Sequence, residues 1–219
     1  MSRPAAPRAT PRKPRARSQG RIDTILDAAR TLLAAQGVAS LSIYSVAEHA
    51  QIPPSSVYHF FAGVPALLEA LTGDVHAAFR ACLQAPIEHE ALSGWRDLSR
   101  VIEQRMLAIY NEDAAARQLI LAQHGLTEVT RADRQHDLEL GQLMHALFMK
   151  HFELPVLPQD VDVFALAMEL GDRVYARSIQ LHDCITPRMA EEGMRVVDAY
   201  LGLYLPTFLP KREIPAGNL

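Results

Sequence analysis

The chain has very little cysteine: Cys82 and Cys184 are the only two in 219 residues. They stand far apart and in none of the usual metal or redox spacings, so both read as core or half-buried thiols in a reducing compartment. No uninterrupted apolar run of about 18 residues occurs, and no membrane span is expected. The N-terminus is basic and lacks the apolar stretch of a signal peptide, so the expected location is cytoplasmic. Runs of alternating β-branched residues and hairpin turn chemistry are also missing, which excludes a sheet. Without a Gly-x-Ser-x-Gly elbow, or a strand to carry one, the serines do not form a hydrolase site. Without a glycine-rich phosphate loop there is no nucleotide cradle. None of the nine histidines lies three or four residues from another, so no helix offers a two-histidine metal face. Asp133, His136 and Asp137 do share a helical face, and they read as solvated surface. No enzyme activity, cofactor or metal is expected.

The missing acid of the first segment is informative. Residues 1–21 hold Arg3, Arg8, Arg12, Lys13, Arg15, Arg17 and Arg21 with no Asp or Glu, a local charge of +7. Of the 22 basic residues, 15 then remain against 25 acidic ones, so the rest of the chain carries −10. A positive arm on an acidic body suits a polyanionic partner. Four prolines (Pro4, Pro7, Pro11 and Pro14) predict that this arm is flexible over residues 1–16 and not helical before about Arg17. Arg12, Lys13, Arg15 and Arg17 are its candidate phosphate contacts.

What is present is apolar spacing near 3.6 throughout, which predicts an all-α protein. Ile22, Ile25, Leu26, Ala29, Leu32 and Leu33 mark a first helix that Gly37 stops. Leu67 to Cys82 mark a longer helix ended near Pro86, the expected link between two domains. Further helices are expected around Trp95–Ile109, over 114–123, over 130–152, over about 159–182 and over 187–205, the last capped by Thr186 with Pro187 at its first position.

Between the first two of these helices lies LSIYSVAEHAQIPPSSVYHFFAGVPALL, residues 41–68. Ser42 can cap a short helix whose apolar face is Val46, Ala47 and Ala50. Gln51-Ile52-Pro53-Pro54 ends it, because the residue before a proline is pushed out of the α region. Pro54 is tolerated at a first helical position, so a second short helix runs from there to about Phe60, with Val57 and Phe61 turned inward. Two short helices joined by a tight turn, over about 42–61, form a helix-turn-helix that presents side chains to the DNA major groove. Ser55 and Ser56 open the second helix, where base edges come within reach. His59 is placed to donate to a phosphate or a guanine acceptor, while Pro53 and Pro54 offer apolar contact to a thymine methyl.

This pattern resembles the DNA-binding domain of the TetR family of bacterial repressors. Ser42, Val46-Ala47, Ala50, Ile52, Tyr58 and Phe61 stand where the family pattern wants them, and Ala66-Leu67-Leu68 opens the next helix as that pattern does. The resemblance implies that Tyr58 holds a phosphate through its hydroxyl and that Tyr44 reaches the DNA. Two departures stand out. Gln51 replaces the usual turn glycine, and Val64 replaces the lysine that opens the fourth helix and touches a phosphate.

The family also implies an organisation: arm 1–16, a three-helix DNA-binding domain over 17–79, and a helical effector-binding and dimerisation domain over 80–219. Trp95, Met106, Tyr110, Met144, Phe148, Met168 and Tyr175 are candidates to line the effector pocket, since methionine and aromatic side chains suit adaptable apolar cavities. The last two helices are the family's dimerisation surface. Here Met189, Met194, Val197, Leu201 and Tyr204 form an apolar stripe, with Gly193, Gly202, Gly171 and Ala167 suggesting close packing across a two-fold axis. The implied function is a cytoplasmic, ligand-responsive repressor that binds a palindromic double-stranded DNA operator as a homodimer. The competing reading is a helical small-molecule-binding or enzymatic protein with an incidental basic arm.

Overall fold

The computed structural model describes residues 14–122 and 127–213, with side chains from 17 to 122 and from 136 to 213. The architecture is all-α among these residues. Helix α1 spans Pro14–Gln36, so it begins before Arg17, where the proline content had placed its start. Pro14 is no obstacle there, because a first helical turn has no use for the missing N–H and the ring already fixes a helical φ. Gly37, at φ 75°, closes α1 by donating its N–H to the Leu33 carbonyl at 2.9 Å, the left-handed stop that glycine adopts without strain.

Helices α2 (Ile43–His49) and α3 (Pro54–Phe60) form the helix-turn-helix. Ser42 caps α2 by accepting the Ser45 N–H at 2.9 Å. At the turn Gln51 takes φ 54°, a left-handed conformation that carries modest strain in any residue with a Cβ. Ile25, Ala29, Leu33, Val46, Ala47, Val57 and Phe61 are all buried, so α1, α2 and α3 close on one apolar centre.

Helix α4 (Val64–Gln84) serves two bodies. Its Leu67, Leu68 and Leu71 join that centre, while Val75, Phe79 and Leu83 are buried further on against later helices. Helix α5 covers Trp95–Glu112. The single short helix expected over 114–123 is instead broken: Asp113 caps α6 (Ala114–Ala116) by accepting from the Ala115 and Ala116 N–H groups, and the chain then widens into a π turn at Arg117–Leu121. Helices α7 (Thr127–His151), α8 (Val163–His182) and α9 (Pro187–Leu201) complete the fold. Asp162 caps α8 and Thr186 caps α9 through their side-chain oxygens. Helix α9 stops at Leu201 rather than 205, with Gly202 at its C-cap.

The packing of α9 on α8 corrects the expected role of its apolar stripe. Val197 and Leu201 are fully buried inside the protomer. A Cβ on Gly193 would lie 2.1 Å from Tyr175 Cε1, and one on Gly171 would lie 3.1 Å from Val197 Cγ2. These glycines therefore admit neighbours within the same chain, and no second protomer is needed to explain them.

Candidate nucleic-acid interface

The first turns of α1 lie beside α3 and enclose a cleft of about 690 Å³ lined by Arg17, Ser18, Arg21, Ser55, Ser56, His59 and Phe60. Arg17 and Arg21 are exposed and one helical turn apart, so both guanidiniums stand on one side of α1. Among the described residues the lining contains no carboxylate. Cationic forks opposite hydroxyls and an imidazole make a polar, positively biased groove, a donor set that fits phosphate oxygens and base-edge acceptors.

Ser55 and His59 are exposed and Ser56 is half-buried; Val57, between them, is fully buried and anchors the helix. Tyr58 and Tyr44 are 49% and 67% exposed. Pro53 is exposed and Pro54 half-buried. The Ser42 oxygen is occupied by its capping bond to Ser45, so its contribution lies in holding α2. Val64 is half-buried against the core and brings neither charge nor hydroxyl to the start of α4. Arg12 and Lys13 lie outside the described residues, as does the Arg15 side chain. Arg21 and Ser18 are additions to the site residues expected from sequence. Their signal was available: Arg21 follows Arg17 by four residues in a segment with helical spacing.

Away from the cleft, α1 is tied to the second body by charge. Arg30 reaches Asp113 at 2.5 Å and Asp74 at 3.3 Å, so one guanidinium joins α1, α4 and the cap of α6.

The seven candidate pocket residues, Trp95, Met106, Tyr110, Met144, Phe148, Met168 and Tyr175, are all buried. They belong to the buried apolar cluster of the second body, with Trp95 and Phe148 centroids 6.4 Å apart and Tyr110 and Tyr175 centroids 6.3 Å apart. Tyr175 donates to Glu103 Oε2 at 2.7 Å and Tyr110 donates to Asp172 at 2.9 Å. Burial pushes the Glu103 carboxyl up to about 7, against the tyrosine hydrogen bond that favours its charged form. Burial and the adjacent Glu103 carboxylate raise the Tyr175 phenol in turn. A smaller cleft of about 270 Å³ lies between α7 and residues 157–164 and is lined by Gln142, His145 and Phe164 among others. None of the seven lines either of these clefts. Among the described residues no helix is long and apolar enough to cross a membrane, and no group of three metal-ligating side chains occurs.

Residues 25–71 match the profile of bacterial regulatory proteins, tetR family. No curated protein sequence matches the chain. Among solved structures, a TetR-family transcriptional regulator from Streptomyces coelicolor superposes with a TM-score of 0.65 at 22% identity, covering 84% of this chain and 99% of the other. The multidrug binding protein EbrR, complexed with imidazole, gives 0.61 at 22% identity over 90% of this chain and 97% of its own. The flavonoid-responsive regulator FrrA gives 0.55 at 18% identity, covering 86% and 99%. Residues 25–71 thus carry the helix-turn-helix segment of bacterial regulatory proteins of the tetR family, and over most of its length the chain has the fold of these solved structures.

Proposed function

We propose that the protein is a cytoplasmic, ligand-responsive transcriptional repressor that binds a palindromic operator as a homodimer and acts by binding rather than catalysis. The observation that carries this reading is the cleft between α1 and α3, where Arg17, Arg21, Ser55, Ser56 and His59 converge. Ser55 and Ser56 read base edges, Tyr58, Tyr44 and His59 hold phosphates, and Arg12, Lys13, Arg15, Arg17 and Arg21 supply positive charge along the backbone. The working division is an arm over 1–16, a DNA-binding domain over 17–79 and an effector domain over 80–219.

Dimerisation through α8 and α9 rests on what their outer faces offer. Leu166, Leu170 and Leu181 are exposed large apolar residues on α8, and a spacing of four and then eleven residues keeps them on one side of the helix. A two-fold pair built on that face would meet an operator with inverted half-sites in successive major grooves. Response to a small molecule is in keeping with the multidrug binding and flavonoid-responsive relatives of this fold. Since α4 belongs to both bodies, a ligand that prefers one arrangement of the second body shifts the population of recognition-helix spacings.

The test is retention of the protein on fragmented genomic DNA with the bound fragments sequenced. An inverted-repeat motif is expected, and it should vanish with Arg17→Ala/Arg21→Ala. Equal retention of every fragment at physiological salt, or no retention at all, contradicts the proposal.

A further inference from the structure

Where α4 meets α7, each helix holds a buried polar atom with nothing to bond among the described residues. Thr72 Oγ1 and His136 Nε2 have no hydrogen-bond partner among the described residues, although Thr72 is 0% and His136 4% exposed. His136, which the sequence placed on a solvated face with Asp133 and Asp137, is thus an interior side chain. Its ring stacks on His76 with centroids 3.4 Å apart and planes 10° apart. His76 follows Thr72 by one helical turn, so both unpaired atoms belong to the same strip of the α4–α7 contact.

The tautomer follows from the neighbour. Arg80 Nη1 lies 3.5 Å from His136 Nδ1, and a guanidinium only donates. Nδ1 is therefore the accepting nitrogen, and the proton of the neutral ring sits on Nε2. Burial first, then the positive fields of His76 and Arg80, lower the His136 pKa to about 3, which keeps the ring neutral. Nε2–H is a buried donor in want of an acceptor, and the Thr72 hydroxyl is a second. Around them the walls are aromatic: Phe79 lies 6.3 Å from the His136 ring and 5.1 Å from Tyr110, centroid to centroid.

We infer that this strip is the polar end of the effector site, taking a small aromatic molecule whose carbonyl or carboxylate oxygen accepts from His136 Nε2 and Thr72 Oγ1. The inference rests on the ligand-responsive reading above and supplies the chemical class of the ligand. A cationic ligand is disfavoured, because it would bring positive charge to a donor edge beside Arg80. Arg80 itself is partly satisfied by Glu139 at 3.5 Å, so a neutral carbonyl is as acceptable as an anion. The ligand would draw Thr72 toward α7, and Thr72 directly follows Leu71 of the DNA-binding centre on the same helix.

The test uses the full chain labelled with [15N]histidine and four probes of similar size: acetophenone, benzoate, ethylbenzene and benzylammonium. The His136 signal is assigned by its loss in His136→Gln. Acetophenone or benzoate should move the His136 Nε2–H resonance and raise Tm, whereas ethylbenzene and benzylammonium should do neither. Thr72→Val keeps the shape, removes the hydroxyl and should weaken binding about tenfold, a change worth one hydrogen bond. His136→Gln, which keeps a donor, should bind more tightly than His136→Leu; if both fail to fold, Thr72→Val carries the test. Ethylbenzene binding as well as acetophenone, unchanged binding by Thr72→Val, or no probe moving the resonance would overturn the inference, the last pointing to a buried water in the strip. A compound that releases DNA without moving His136 overturns this subsite and leaves the ligand-responsive reading standing. Acetophenone or benzoate that moves His136 with no effect on DNA binding overturns that reading instead.

Discussion

The two parts of the molecule bury different chemistry. Among the described residues up to Leu71 every buried side chain is apolar. From Thr72 onward the interior also holds His76, Ser99, Glu103, His136, His151 and Ser178. The first part keeps its polar groups outside, where Arg17, Ser55 and His59 are exposed along one cleft, and its apolar centre needs only to hold them still. The second part draws polar groups inward, at a desolvation cost that an all-apolar core would avoid. Recognition of a large, charged, external partner and of a small, enclosed one would call for opposite dispositions.

The sharpest way to break this comparison is a charge in the second interior. Val197→Glu should abolish cooperative folding, since a fully buried valine gives way to an ion without a partner at a cost of several kcal/mol. Leu170→Glu, on the outward face of α8, should leave the protomer's thermal melt within about 1 kcal/mol of the wild type while shifting sedimentation from dimer to monomer. A normally melting Val197→Glu protein would refute the packing described for α9.

Glycine gives a milder contrast. Gly193→Ala drives a Cβ into the Tyr175 ring and should destabilise by about 1–3 kcal/mol. Gly20→Ala, in α1 with nothing within 4 Å, should stabilise by up to about 1 kcal/mol through helix propensity alone. Calorimetry on the two variants checks both signs.

The buried carboxyl predicts a pH signature confined to the second part. Its folded pKa of about 7 lies above the ordinary 4.5. Its contribution is thus fully present below 4.5 and is lost as pH rises through about 7. Glu103→Gln still accepts from Tyr175, so its Tm should match the wild type near pH 5 and exceed it near pH 8. A Tm difference that stays constant over that range would rule out a titrating Glu103. Smaller still is the effect expected on the DNA side. Ser56→Ala should alter preference among operator variants by about 1 kcal/mol per half-site, whereas Tyr58→Phe should weaken all sequences alike. Isotherms on an operator panel separate them.

Much of the first part was legible because local rules decide it. Ser42 as a cap, Pro54 at a helix start and Gly37 as a stop each act within one turn of chain, and each stands where expected. Helix α1 starts earlier than its proline content implies, because a first turn tolerates Pro14. In the second part the helices were legible and their partners were not. The periodicity that exposed the stripe through Val197 and Leu201 reports an apolar side without saying which chain covers it. His136 is illegible for a related reason: flanking acids imply solvent, and only the tertiary contact with His76 contradicts them.

The central claim is that the cleft between α1 and α3 grips the DNA backbone. The direct measurement is operator affinity against salt for the wild type and for Arg17→Ala/Arg21→Ala. Each lost phosphate contact should flatten the slope of log affinity against log salt by about 0.9, so the double variant should lose up to about twice that. A variant slope equal to that of the wild type would contradict the claim.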